Sequence, residues 1–316
     1  MVSLCDALQN EEAVKAVEVP FVRYKFIFEV TAPIMLPPYA GSTIRGAFGR
    51  SLRRTSCMTH QADCKTCPLY RTCPYIQVFE TPPPSEHPLQ KFSQIPNAYV
   101  IEPPKWGRHV YEVGERLEFQ MVLFGRALQF LPLIIYTLEK AFSYDVGHGK
   151  ATLTDVFAVL ADAEVRVYGP EMSEVSSHSQ RTVLAVPQNE HITLRIETPM
   201  RLQNNGVPLG PELITARTFL SALLRRVALV AEFQCNTPLA LDFGSLAQEA
   251  EKLIIEKDLG WKDWQRYSSR QDRKMSLGGV VGIIRLLEVP PVLRTLLTVG
   301  QMVHVGKNAT FGLGKY

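Results

Sequence analysis

From Phe21 the chain alternates apolar and polar residues. Val22, Tyr24, Phe26, Phe28 and Val30 share one face, and Arg23, Lys25 and Glu29 largely occupy the other. A period of two predicts a half-buried β-strand. After Pro37 and Pro38 the period lengthens. Ile44, Phe48 and Leu52 recur at helical spacing, with Ser42 as the expected N-cap and Arg45, Arg50, Arg53 and Arg54 on the remaining surface. A Pro-rich stretch from Thr81 to Pro104 precedes a second strand over Arg116–Leu123, which carries Leu117, Phe119, Met121 and Leu123 on one face. Phe130–Phe142 reads as an apolar helix and Ala151–Val167 as one or two closing strands.

Between Tyr168 and Gln188 the chain turns polar, with Gly169, Pro170 and the run Ser176, Ser177, His178 and Ser179, the composition of a linker. The pattern then restarts. Ile192, Leu194 and Ile196 alternate with His191, Thr193, Arg195 and Glu197. Glu212–Glu232 reads as a helix with Leu213, Leu220, Leu224 and Val227 inward, and Arg217 and Arg225 share its polar side. Leu277–Glu288 is a Gly-broken strand, Pro291–Leu297 a short helix and Gln301–Val305 a last strand. Two rounds of strand, helix, strands, helix and strand predict an α+β chain of tandem ferredoxin-like (RRM-like) domains. The first spans 18–168, the linker 169–188 and the second 189–316.

A length of 316 residues with 46% hydrophobic content supports two cores. No run reaches the roughly 18 apolar residues that span a bilayer, and the acidic start of the chain does not resemble a leader, so a cytoplasmic protein with no membrane partner is expected. A net charge of +3 is too small to identify a polyanionic partner by itself. The cysteines change the picture more. Cys57, Cys64, Cys67 and Cys73 are separated by six, two and five residues, within a candidate insertion at 55–75. Four thiolates so close along the chain can close around one structural metal centre, either a 4Fe-4S cluster or a zinc ion. His60, inside the six-residue gap, reads as a bystander.

With Pro68 and Leu69 following the third cysteine, this spacing resembles the iron-sulfur loop of endonuclease III-type DNA glycosylases over about 20 residues. Those enzymes are all-helical, and the strand alternation on both sides of the motif argues against a repair enzyme. The C-terminus offers a second motif. Gly306, Lys307, Gly312 and Gly314 form a glycine-rich loop whose backbone and cation suit a phosphate. Together with Gly41-Ser42-Thr43-Ile44-Arg45-Gly46-Ala47-Phe48-Gly49 and the tandem architecture, the 306–314 loop is similar to that of the CRISPR repeat-associated RNA-binding (RAMP) superfamily. Within it, the chain resembles the CRISPR RNA-processing endoribonucleases.

That resemblance implies binding of CRISPR repeat RNA, association with other CRISPR effector subunits, and cleavage by the adjacent 2′-hydroxyl without a catalytic metal or cofactor. The products would be a 2′,3′-cyclic phosphate and a 5′-hydroxyl. Such chemistry needs a proton acceptor, a proton donor and positive charge near phosphorus. A histidine is common on the first helix of such proteins, yet Ser42–Arg54 contains none. His304 is the leading candidate, taken as pointing away from Val303 and Val305 on the last strand. Tyr39 and Lys307 are secondary, and His60 is an alternative. Arg45, Arg50, Arg53, Arg54, Arg270, Arg273, Lys274 and the loop residues Gly306, Lys307, Gly312 and Gly314 are the expected RNA contacts. A non-catalytic RNA-binding subunit of the same superfamily is the alternative function.

Overall fold

The computed structural model describes residues 2–9, 12–84, 86, 95–107, 110–161, 163–268 and 273–316. Arg270 lies outside them, as do the side chains of Arg273 and Lys274. The chain forms two compact units, one of residues 20–182 and 233–236, the other of 2–19, 183–232 and 237–316. Both are ferredoxin-like.

In the first unit β1 (Phe21–Ala32) leads to α1 (Gly41–Ser56) and a short α2 (Pro74–Phe79). Next come β2 (Tyr99–Glu102), β3 (Arg116–Phe124), α3 (Leu131–Tyr144), β4 (Lys150–Val159) and β5 (Glu164–Tyr168). The sheet order is β2-β3-β1-β4-β5 with antiparallel neighbours. Both helices lie on the sheet, and the Ser51 hydroxyl of α1 donates to the Thr137 carbonyl of α3 at 2.9 Å. The alternation read from the sequence sets the core. Val22, Tyr24, Phe26, Phe28 and Val30 are all buried, and Phe28 stacks on Phe142 with ring centroids 4.1 Å apart. Each such aromatic stabilises the fold by about 1.5–3 kcal/mol through apolar burial. The opposite register positions pair their charges. Arg23 meets the buried carboxylate of Glu102 through two bonds of 3.1 Å, and Lys25 meets Glu164.

Four local expectations change here. Helix α1 is capped by Ala40 without a side-chain bond, so Ser42 is the second residue of the helix rather than its cap. Strand β2 sits within the Pro-rich stretch, where its four buried residues extend the sheet. The expected linker belongs in part to this unit. His178 Nε2 lies 2.8 Å from the Tyr24 hydroxyl, and the Ser176 amide donates to the Val167 carbonyl at 2.8 Å. The boundary at 18 also moves, because Val2–Ser3 and Ala16–Val19 form a small sheet with Thr182–Ala185.

The second unit begins its ferredoxin-like order with β6 (Ile192–Met200), followed by α4 (Ala216–Cys235) and α5 (Phe243–Lys252). The chain continues through β7 (Ile254–Lys262), a hairpin of β8 (Gln265–Ser268) and β9 (Arg273–Ser276), β10 (Gly279–Leu287) and α6 (Pro291–Val303). The sheet order is β6-β10-β7. Helix α4 starts later than the sequence indicates, because Pro211–Leu213 forms a separate 3-10 turn that leaves Leu213 53% exposed. Where a fourth strand is expected, the C-terminus itself lies beside β6. The Lys315 carbonyl accepts from the Glu197 amide at 2.8 Å, and the Lys315 amide donates to the Thr198 hydroxyl at 2.9 Å.

The strand expected at Gln301–Val305 does not form. Helix α6 extends through Val303 and stops where His304 takes a positive φ of 59°. No helix among the described residues is long and apolar enough to cross a membrane.

Candidate functional site

Helix α1 gathers four of the eight cations that the sequence marks. Its C-terminal half brings Arg50, Arg53 and Arg54 onto successive turns, since Gly49 and Leu52 face the core. Gly49 is required there, because a Cβ would come within 2.2 Å of the Phe79 ring on α2. Arg50 and Arg54 line a groove of about 600 Å³ between α1 and α3, together with Ser51, Thr55, Tyr136, Lys140 and Tyr144. Two large aromatic rings are presented on α3, Tyr136 at 48% and Tyr144 at 68% exposure. Lys140 lies over the Tyr136 ring at 5.3 Å from its centroid. Cations interleaved with exposed rings suit phosphates and unstacked bases.

At the C-terminal end of α1, Arg50, Arg53, Arg54, Cys57 and His60 line a second hollow of about 300 Å³. His60 is exposed and holds a left-handed φ of 53° at the tip of the turn that follows α1. An imidazole beside three guanidinium groups can exchange a proton next to charge that stabilises an anion. The sequence makes His60 a bystander to the cysteines and an alternative catalytic residue, and its place beside the three arginines favours the second. Arg45 points the other way. Its guanidinium lies 4.2 Å over the Phe79 ring and is half-buried, so it serves packing more than contact with a polyanion.

The remaining expected residues lie in less accessible places. Tyr39 is 1% exposed, with its ring centroid 5.1 Å from that of Trp106. His304 is 0% exposed, because the helix that replaces the expected strand turns its cap residue into the core of the second unit. Neither side chain meets solvent. Lys307 is exposed, and its amide donates to the Arg201 carbonyl at 2.9 Å.

The three loop glycines have backbone reasons of their own. Gly306, Gly312 and Gly314 take φ of 90°, 94° and 71°, and a Cβ on Gly314 would fall 1.8 Å from the Val305 carbonyl oxygen. The loop folds tightly against β6, where the Thr198 hydroxyl donates to the Gly312 carbonyl at 2.8 Å. Lys307 presents the cation on this turn.

Cys57, Cys64, Cys67 and Cys73 line one cavity with Arg53, Tyr70 and Tyr75, and none is in a disulfide. Among the described residues no His, Cys, Asp or Glu group is drawn together closely enough to hold a metal ion as it stands.

Residues 19–180, just over half the chain, match the family AF_1859_N, described as an N-terminal domain. Residues 194–316 match the family of the CRISPR-associated endoribonuclease Cas6. An uncharacterized protein of Archaeoglobus fulgidus is 25% identical over 290 residues, covering 88% of this chain and 91% of that relative. Among solved structures, a Cas6 product complex is similar with a TM-score of 0.56 at 15% identity, over 93% of this chain and 98% of that one. Thermus thermophilus Cas6 is similar with a TM-score of 0.51 at 14% identity, over 94% and 97%. A chain of a partial Cas6-RT-Cas1–Cas2 complex gives a TM-score of 0.54 at 16% identity. That match takes in 94% of this chain, which spans only 45% of the longer one. At these identities the likeness is one of fold.

Proposed function

We propose that this chain, which belongs to the AF_1859_N family and matches the Cas6 family over residues 194–316, is a Cas6-type RAMP protein of CRISPR systems that binds CRISPR repeat RNA and cleaves it as a processing endoribonuclease. The observation that carries this reading is the hollow that His60 shares with Arg50, Arg53 and Arg54. RNA supplies its own nucleophile. The 2′-oxygen forms a bond to phosphorus, the bond from phosphorus to the 5′-oxygen breaks, and the products carry a 2′,3′-cyclic phosphate and a 5′-hydroxyl. His60 takes the 2′-proton while water protonates the leaving oxygen, or protonates that oxygen while water takes the 2′-proton, and the guanidinium groups stabilise the added negative charge on phosphorus. No metal is needed for these steps. The adjoining groove, with Arg54, Lys140, Tyr136 and Tyr144, holds the flanking strand by phosphate contacts and base stacking. Lys307 provides a further phosphate contact on the second unit, and other CRISPR effector subunits are the protein partners.

The experiment is incubation of the purified chain with labelled repeat hairpins in excess EDTA, beside a substrate with a 2′-deoxy at the cut site. Cleavage in EDTA that the 2′-deoxy abolishes is the expected result. A second reading, a non-catalytic RNA-binding subunit, draws on the burial of His304 and Tyr39. Tight binding without cleavage of any repeat would favour it, and neither binding nor cleavage would refute both.

A further inference from the structure

We infer that Cys57, Cys64, Cys67 and Cys73 together bind one metal centre, a zinc ion or an iron-sulfur cluster, that fastens the loop between α1 and α2. The first support is placement. Each cysteine stands at the end of an ordered element: Cys57 caps the C-terminus of α1, Cys64 opens the 3-10 turn Cys64–Thr66, Cys67 closes it and Cys73 precedes α2. The elements hold the four positions around a single cavity. Local bonds brace the same framework. The Cys67 amide donates to the Cys64 carbonyl at 3.1 Å, and the Cys73 amide donates to the Leu69 carbonyl at 2.8 Å.

The second support is the loop's lack of a core. Its one helical turn contains no buried residue, and Met58 is 81% exposed. Only Cys64, Tyr70 and Cys73 pack partly against the first unit's core. A segment that buries so little apolar surface cannot offset the entropy of its own ordering, and small loops of this kind are ordinarily held by a disulfide or a metal. The cysteines form no disulfide. A metal centre remains, and an all-thiolate set selects zinc or iron-sulfur chemistry over harder cations.

The third support is the surrounding chemistry. Arg53 lines the cavity and donates to the carbonyl oxygens of Gln61 at 2.8 Å and Ala62 at 3.0 Å, so its charge is fixed beside the thiols. A fixed guanidinium offsets the negative charge of four thiolates. The Thr59 hydroxyl lies 3.3 Å from the Cys67 sulfur, the kind of outer contact that orients a ligand. On ligation each thiol releases its proton to solvent as a metal-sulfur bond forms. The cluster form also takes up two ferrous and two ferric ions with four inorganic sulfides from the medium, so its assembly needs no further oxidant. Because the sulfurs do not yet form a closed ligand set, binding draws the loop inward between its fixed ends.

The inference does not depend on the RNA reading, and its test reads metal rather than cleavage. The full chain is purified without oxygen, then reconstituted in separate arms with zinc, and with equal amounts of ferrous and ferric iron plus sulfide. One arm is expected to reach a fixed stoichiometry, about one zinc, or about four irons with matching sulfide and a visible absorption that dithionite bleaches. Competition with a chromophoric chelator measures the wild-type affinity without any variant. Cys64→Ser with Cys67→Ser is expected to weaken binding at least about tenfold, while Cys5→Ser and Cys235→Ser leave it unchanged. No stoichiometric metal in either arm would overturn the inference, as would unchanged affinity in the Cys64/Cys67 double variant.

Discussion

The Arg54 guanidinium lies over the ring of Tyr144, 5.3 Å from its centroid, and the two residues form opposite walls of the groove between α1 and α3. An exposed ring already facing a cation is a ready platform for a base, since either face of an aromatic ring accepts stacking. Tyr144→Ala is expected to weaken binding of repeat RNA by about 1–3 kcal/mol, the usual contribution of one stacked base. Arg54→Ala should act differently. It would lower affinity for all RNA sequences alike and reduce the salt dependence by about one released counterion. Fluorescence anisotropy across a salt series separates the two, and an unchanged salt slope in Arg54→Ala would remove this groove from the interface.

The two histidines are distinguished by exposure. His60→Ala is expected to slow cleavage by about 10²–10⁴-fold, the range for losing a general acid or base, with the melting temperature unchanged. His304→Ala removes a fully buried polar side chain. It should cost about 1–3 kcal/mol of stability while the folded fraction keeps its cleavage rate. Single-turnover kinetics beside thermal melts test both, and a rate loss confined to His304→Ala would reverse the assignment.

Two glycine substitutions isolate the terminal turn. Gly206 has a φ of 83° with open space around it, so Gly206→Ala should cost only the left-handed backbone strain of about 1–2 kcal/mol. Gly314→Ala adds a collision with the Val305 carbonyl to the same strain. Its melting temperature is expected to fall well below that of Gly206→Ala in calorimetry. Equal effects would show that the tail can shift away from the Val305 carbonyl.

Alkaline pH should destabilise the chain through groups buried in their neutral form. Burial pushes the Cys235 thiol up to about 12, with Arg126 and Arg181 opposing the rise. Burial also raises Tyr24, Tyr75 and Tyr316. In the unfolded chain a thiol ionises near its ordinary value of about 8.5, so the folded state holds more protons above that point. The stabilising contribution is therefore complete below about pH 8.5 and is lost as pH rises from there toward 12. Urea melts at pH 8 and pH 10.5 should show the decline, and Cys235→Ala should make it shallower.

The sequence by itself determined the elements whose residues repeat with one period over many positions. Strands β1, β3, β6 and β10 and helices α1, α3 and α4 were all legible, because a buried face imposes its period on the residues that make it. The cysteine spacing was legible for a different reason, since six, two and five residues of chain already limit how far the thiols can separate. Strand β7 was not, because most of its residues are partly or fully exposed at a sheet edge and no apolar alternation marks it.

Tertiary structure alone decided what the candidate residues can touch. Val303 and Val305 flank His304 in a way that fits either period over so short a stretch. The longer helix α6 won because its inner face completes the second core, and that turned His304 inward. Tyr39 was buried by Trp106, a residue far along the chain. His60 gained its setting from the turn after α1, which set it beside Arg50, Arg53 and Arg54. Local pattern reports which face of an element avoids water, but the fate of a polar side chain depends on neighbours distant in sequence, and only the folded chain brings those together.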